Sequence, residues 1–151
     1  MLIRKATQND AEALCELYSY HLNSSPPKEP QDMTRWREML AGFEHNPAYN
    51  ILVGEFDGRI VSSVTIVLID NLTRNMKPYA VIENVVTHSN NRGNGFAVLL
   101  MNYASKIAEE YGCYKIMLLS GSKTESTLHF YERCGFNRND KTAFIKWLAE
   151  I

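Results

Sequence analysis

Residues 49–56 and 59–69 are two runs rich in strand-forming residues with only Asp57-Gly58 between them. Both members of that dipeptide tolerate positive φ, which a two-residue hairpin turn needs if its twist is to match the strands, so the two runs pair antiparallel. A sheet is thereby fixed in the middle of the chain, and the rest must cover or extend it. Residues 2–6 form a short apolar run ending at Thr7, with Asp10 three residues on in a capping-box-like spacing; Ala11, Leu14, Tyr18 and Leu22 then recur at helical intervals. Turn and breaker residues occupy positions 23–27, after which Met33, Trp36, Leu40 and Phe43 mark a second amphipathic helix closing near His45-Asn46-Pro47.

Residues 80–87 (AVIENVVT) read as a third strand, and Phe96, Leu100, Tyr103, Ile107 and Tyr111 as the apolar face of a helix capped by Gly112. A strand over 114–119, a short helix over 124–134 and a last strand over 142–148 (TAFIKWL) complete the pattern. The order β-α-α-β-β-β-α-β-α-β mixes hairpins with helical crossovers. It predicts an α/β (α+β) fold: a single domain over 1–151 with a mixed, mostly antiparallel sheet and helices on both faces.

Composition narrows the function classes. Sixteen Lys plus Arg against seventeen Asp plus Glu leave a formal charge of −1, so there is no basic excess to grip a phosphate backbone, and nucleic acid is not an expected partner. No apolar run approaches membrane-spanning length, and the start carries no signal-peptide pattern. Cys15, Cys113 and Cys134 show no C-x-x-C spacing, and His21, His45, His88 and His129 no metal-ligand spacing, so no metal is expected and a reducing cytoplasm is.

The stretch Asn91-Arg92-Gly93-Asn94-Gly95-Phe96-Ala97 follows a strand and opens a helix. Glycine allows close backbone approach there, and the unpaired N–H groups of the first turn, at the positive end of the helix dipole, suit a pyrophosphate. It is not a dinucleotide fingerprint, because Val98 stands where Gly or Ala is required, and it lacks the Gly-Lys-Ser/Thr of the Walker pattern. Arg92-x-x-Gly95-x-Ala97 instead resembles the acetyl-CoA loop of the GNAT superfamily of N-acetyltransferases, which reads Arg or Gln, x, x, Gly, x, Gly or Ala. The opening Ile3-Arg4-Lys5-Ala6-Thr7 with Asp10 and the stretch Phe130-Tyr131-Glu132-Arg133-Cys134-Gly135-Phe136 have counterparts in the same superfamily, so the resemblance spans nearly the whole chain. Gly112 to Ile116, Ile82-Glu83 and Phe130 to Phe136 look most like the glucosamine 6-phosphate N-acetyltransferase branch, although that branch tends to read His-Ile-Glu-Asp where this chain has Val81-Ile82-Glu83-Asn84.

The resemblance implies acetyl-CoA as co-substrate, held by Arg92, Gly93, Asn94, Gly95, Phe96 and Ala97. It also implies that the strand end Val85, Val86 and Thr87 pairs with the pantetheine amides and offers a backbone N–H to the reacting oxygen. Thr124 stands where many members carry Asn seven residues before the helix tyrosine, and Tyr131 occupies the position of the general acid that protonates the departing thiolate. Residue chemistry adds a base. A primary amine of pKa near 10.4 must lose a proton at a cost of about 4–5 kcal/mol at pH 7, and Glu83 is the sole carboxylate of its strand, at an expected half-buried position. Arg74, Lys77 and Lys115 would suit an acidic acceptor if they converge, while Cys134 is read as packing and the transfer as direct.

Three functions stay open at this level: acetylation of a small-molecule primary amine, with an amino sugar phosphate the best-defined candidate; acetylation of a protein or peptide; and a non-catalytic acyl-CoA-binding sensor. A homodimer is expected to cover an exposed last strand bearing Phe144, Ile145 and Trp147.

Overall fold

The structure is a computed structural model that describes residues 1–22, 25 and 27–149; Asn23, Ser24 and Pro26 of the breaker run lie outside the described residues, as do Glu150 and Ile151. Two compact units divide the chain, Met1–Leu118 and Leu119–Ile151. In the first, strands β1 (Leu2–Lys5), β2 (Tyr49–Phe56), β3 (Arg59–Ile69), β4 (Tyr79–Thr87) and β5 (Ile116–Leu118) form one sheet in the order β1-β2-β3-β4-β5. The first three pairings are antiparallel and β4–β5 is parallel, which makes the sheet mixed as expected.

The hairpin turn is as the dipeptide predicts, with φ of 50° at Asp57 and 72° at Gly58. Six consecutive residues of β3, from Val61 to Ile66, are buried, which requires cover on both faces. Helices α1 (Ala11–Leu17) and α2 (Met33–Glu44) supply one layer: Ala11, Leu14 and Leu40 pack on Ile51 and Val53 of β2. The short α3 (Thr73–Met76) leads into β4, and helix α4 (Phe96–Glu110) supplies the other layer, where a side chain at Gly54 would meet Leu100 at 3.4 Å. The buried stripe of α4 is Leu100, Met101, Ala104 and Ala108, and Tyr103 and Tyr111 are exposed. The aromatic face read from the sequence is thus rotated outward, because small residues let the helix approach the sheet.

Arg4 ties the first helical layer to the sheet. Its fork donates to both carboxylate oxygens of Asp10 at 2.7 and 2.8 Å, and Asp10 also accepts the Thr7 N–H at 2.8 Å. Burial alone would raise the Asp10 carboxyl, but the Arg4 and Thr7 hydrogen bonds outweigh it and hold the group below the usual carboxylate range.

Two departures from the predicted pattern concern β4 and the end of the chain. Glu83 pairs with Thr65 and Val86 with Ser63, so Asn84 and Val85 both oppose Val64: a β-bulge, with Asn84 at φ 52°. In the second unit, α5 (Glu125–Arg133) forms as expected, but residues 142–148 form no strand. Strand-forming residues yield a strand only against a partner edge, and this segment pairs with none among the described residues. Phe144, Ile145, Trp147 and Leu148 are all exposed.

Candidate active site

The bulge decides what β4 offers. His88 donates its N–H to Val61 O at 2.8 Å and Ser62 Oγ donates to Val86 O at 2.8 Å, so the peptide groups of residues 86 and 88 point at β3. By strand alternation those of Val85 and Thr87 point at the opposite edge. Pairing with β5 stops at Ile82–Leu118, so no strand among the described residues covers that edge beyond it. The result is a row of peptide groups available to an extended, amide-bearing chain.

The glycine loop follows at once. Gly93 and Gly95 have φ of 81° and 77°, and Gly95 is the N-cap of α4 with no side-chain cap bond. None of the N–H groups from Gly93 to Val98 has a hydrogen-bond acceptor among the described residues. An uncapped helix start of this kind is an anion nest. Asn94 steadies the loop through Nδ2 to Asn91 O at 3.1 Å.

Arg92 braces the loop from beneath. Its Nε donates to Thr87 O and one Nη to His21 O, both at 3.2 Å, linking the end of β4 to the π-helical turn Tyr18–Leu22 that follows α1. The rings of His21 and His88 meet there with centroids 4.0 Å apart, and His21 Nδ1 accepts the Ser89 N–H at 3.3 Å. Partial burial, with His88 and Arg92 alongside, pushes the His21 imidazole below its ordinary pKa, consistent with a neutral acceptor ring.

Glu83 is exposed, not half-buried as the strand pattern suggests, because it precedes the bulge and lies beyond the last β5 pair. It shares a sheet face with Thr65, directly opposite. Arg74 and Lys115 do come together, each within 6 Å of the Tyr114 ring centroid at 5.9 and 5.4 Å, whereas Lys77 is exposed and does not join them. Sequence reading passed over Tyr79 and Tyr114, whose rings carry this pair; the alternation that puts Tyr79 on the face of Glu83 was the available signal.

In the second unit the sequence positions Tyr131 through a Schellman end to α5. Gly135 at φ 90° donates its N–H to Glu132 O, and Phe136 donates to Tyr131 O at 3.1 Å. The Tyr131 ring is held edge-on between Phe130 and Phe136, with centroids at 4.9 and 6.4 Å. Thr124 is the N-cap residue of α5, its hydroxyl among those of Ser122, Ser126 and Thr127. Cys134 follows Tyr131 closely, and burial pushes its thiol pKa up, the opposite of what a nucleophile requires.

A cleft of about 650 Å³ lies in the first unit, lined by Arg4, Glu16, Arg59, His88 and Asn91 among others, and Glu83, residues 85–87 of β4 and residues 92–97 of the glycine loop take no part in it. The candidate site is the open sheet edge and the helix start rather than that cleft.

The model of the acetyltransferase (GNAT) family matches residues 11–136. The chain belongs to this family. It is an acetyl-CoA-dependent N-acetyltransferase. Among its relatives, a glucosamine 6-phosphate N-acetyltransferase of Trypanosoma brucei brucei is 30% identical over 146 residues, covering 92% of this chain and 90% of that protein. A putative acetyltransferase from Agrobacterium tumefaciens str. C58 superposes with a TM-score of 0.86 at 35% identity, over 97% of this chain and all of the other (100%). The glucosamine-6-phosphate N-acetyltransferase from Arabidopsis thaliana shares the fold, with a TM-score of 0.84 at 22% identity over 98% of each chain. No helix among the described residues is long and apolar enough to cross a membrane.

The residues present fit acetyl-CoA. An open peptide edge suits the pantetheine amides, and the unpaired N–H groups of the loop suit the pyrophosphate.

Proposed function

We propose that this GNAT enzyme acetylates the primary amine of a small molecule by direct attack, with an amino sugar phosphate as the acceptor, and that the whole chain, 1–151, serves that one activity. The observation that carries the reading is the bulged β4, which sets a carboxylate, Glu83, just before an open peptide edge and the glycine loop. The identity of the Trypanosoma relative supports the amino sugar.

Acetyl-CoA supplies an activated acetyl thioester. Val85 and Thr87 hold the pantetheine arm through their peptide groups, and the Val85 N–H faces the carbonyl oxygen where negative charge develops. Gly93, Asn94, Gly95, Phe96 and Ala97 bind the pyrophosphate through backbone N–H groups, with Val86 fixing the strand, Arg92 bracing the loop and Thr124 contributing at the cofactor. Glu83 removes the ammonium proton, directly or through water, and Tyr131 returns a proton to the departing sulfur: a phenol of pKa near 10 can donate to a thiolate of conjugate pKa near 8.5 when held in contact. The raised Cys134 thiol supports transfer without an acyl-cysteine.

The exposed Phe144, Ile145 and Trp147 support a homodimer, and light scattering at working concentration that gave a monomer would remove it. The free cysteines Cys15, Cys113 and Cys134 fit a cytoplasmic enzyme.

The test is release of CoA thiol from acetyl-CoA with glucosamine 6-phosphate, glucosamine, amino acids, polyamines and peptides as parallel acceptors. Turnover concentrated on the sugar phosphate is expected. Turnover confined to peptides would transfer the activity to a protein acceptor, and acetyl-CoA binding without turnover on any amine would leave a sensor.

A further inference from the structure

Two histidines brace the entry to the glycine loop, and the chemistry of acetyl transfer gives neither of them a part. His88 follows β4 directly: its N–H donates to Val61 O at 2.8 Å, and its carbonyl oxygen accepts the Asn91 N–H at 2.9 Å. That second bond closes the short 3₁₀ turn Ser89–Asn91, which leads straight into Arg92. The leading N–H groups of such a turn have no acceptor within it. Here both go to imidazoles: Ser89 donates to His21 Nδ1 at 3.3 Å, and Asn90 donates to His88 Nδ1 at 3.2 Å. His21 belongs to another element, the π-helical turn after α1, and its carbonyl oxygen also accepts Arg92 Nη at 3.2 Å. It therefore holds the approach to the loop at two points, Ser89 and Arg92.

A neutral imidazole has one N–H and one acceptor nitrogen. Because Nδ1 accepts in both rings, each ring carries its proton on Nε2, and a further proton has only Nδ1 to occupy. Taking it turns an acceptor into a donor that faces another donor, so the bond from Ser89 or Asn90 is lost in the same step. The new charge would also lie against the other ring, 4.0 Å away between centroids, and against Arg92.

The surroundings disfavour the charged form. Partial burial, His88 and Arg92 each push the His21 pKa down, while Glu16 of α1 acts the other way and most weakly. His88 shares the wall of the cleft with Arg4 of β1, Asp10, Glu16, Glu55 of β2 and Arg59 of β3. Arg4 is already paired with Asp10 and Glu55, which leaves Glu16 and Arg59, of opposite sign. Among the described residues no carboxylate forms an ion pair with either ring.

We propose that His21 and His88 are positioning residues for the co-substrate loop: while both rings are neutral they hold the turn that aims the N–H groups of residues 93–98, and a proton on either ring releases it. Acetyl-CoA affinity then falls as pH drops through the imidazole range, below about pH 6.5. Attraction between charges alone predicts the reverse, since new positive charge near the loop would tighten its hold on an anion. The inference rests on the pyrophosphate lying at the loop, as read above.

The test is calorimetry on the full chain with acetyl-dephospho-CoA, which keeps the pyrophosphate but lacks the phosphate monoester whose own pKa, near 6, would confuse the profile. Between about pH 7.5 and about pH 5.5 the affinity of the wild type should fall by about tenfold or more. His21→Leu/His88→Leu, which has no ring acceptor, should bind weakly at both pH values. His21→Asn/His88→Asn, which offers Oδ1 in place of Nδ1 and takes up no proton, should rescue binding at both. Nitrogen NMR of the ligand-free wild type should find both rings as the Nε2–H tautomer at neutral pH, gaining a proton at Nδ1 over the interval in which affinity is lost.

Tighter binding in acid, an acid loss as large in the Asn pair as in the wild type, or a Leu pair that binds normally overturns the clamp. So does an Nδ1–H tautomer in either ring at neutral pH. A Gly95→Ala chain that binds acetyl-dephospho-CoA as the wild type does overturns the pyrophosphate placement instead, so the two failures are read in different proteins.

Discussion

Two glycines with equally open surroundings should respond in opposite senses to alanine. Neither Gly42 in α2 nor Gly95 at the start of α4 has an atom within 4 Å of where a Cβ would stand, so backbone conformation alone sets the effect. Gly42 is helical, and Gly42→Ala should stabilise by about 0.5–1 kcal/mol. Gly95 holds φ 77°, where an L-residue costs about 1–2 kcal/mol, so Gly95→Ala should lower Tm by a few degrees, about 2–4 °C per kcal/mol at this chain length. Alanine can escape the strain only by turning φ negative, which swings the neighbouring N–H groups out of the nest. A hydrogen bond to a charged group is worth about 1.5–3 kcal/mol, so losing the alignment of one should weaken acetyl-CoA binding by about tenfold or more. Calorimetry with acetyl-CoA and with acetyl-pantetheine, which lacks the pyrophosphate, isolates the loop: only the first should suffer in Gly95→Ala, and neither in Gly42→Ala. Equal losses for both ligands, or an unchanged acetyl-CoA affinity despite the lower Tm, would refute the nest as the pyrophosphate site.

Tyr131→Phe keeps the ring between Phe130 and Phe136 and should lower kcat by about 10²–10⁴-fold; full turnover in steady-state assays would dismiss the tyrosine as acid. Glu83→Gln should lower kcat/KM at neutral pH and recover toward alkaline pH as free amine accumulates, and a pH profile parallel to that of the wild type would remove Glu83 as base. Because the Asp10 carboxyl is held below its unfolded value, its contribution to stability is present above about pH 4 and is lost as pH falls through the folded pKa. Asp10→Asn should therefore cost about 2 kcal/mol at pH 7, discounted for the partly exposed Arg4, with the gap to wild type closing below about pH 4 in urea melts.

What could be read from the sequence was what short-range chemistry decides. Asp57-Gly58 fixed a hairpin, Thr7 and Asp10 the entry to α1, Gly95 the start of α4, and Gly135-Phe136 the turn that seats Tyr131. What escaped depends on distant partners. Asn84 looks like an ordinary strand residue until the pairing with β3 shows two residues opposing one; an asparagine amid β-branched neighbours, with its tolerance of positive φ, was the clue. Residues 142–148 have the letters of a strand and no edge to pair with, and Tyr103 and Tyr111 have helical spacing yet face outward beside the alanines that pack. The meeting of Arg74 with Lys115 needed both the turn at 74–76 and the parallel β4–β5 register, neither of which the spacing of charges reveals.

Amide hydrogen exchange with and without acetyl-CoA tests the assigned site most directly. Protection should appear at Val85, Thr87 and the N–H groups from Gly93 to Val98, whose acceptors the co-substrate would supply, with the β1–β2 ladder unchanged. Saturating acetyl-CoA that left those amides exchanging as before, with protection elsewhere, would contradict the placement of the co-substrate on the bulged strand and its loop.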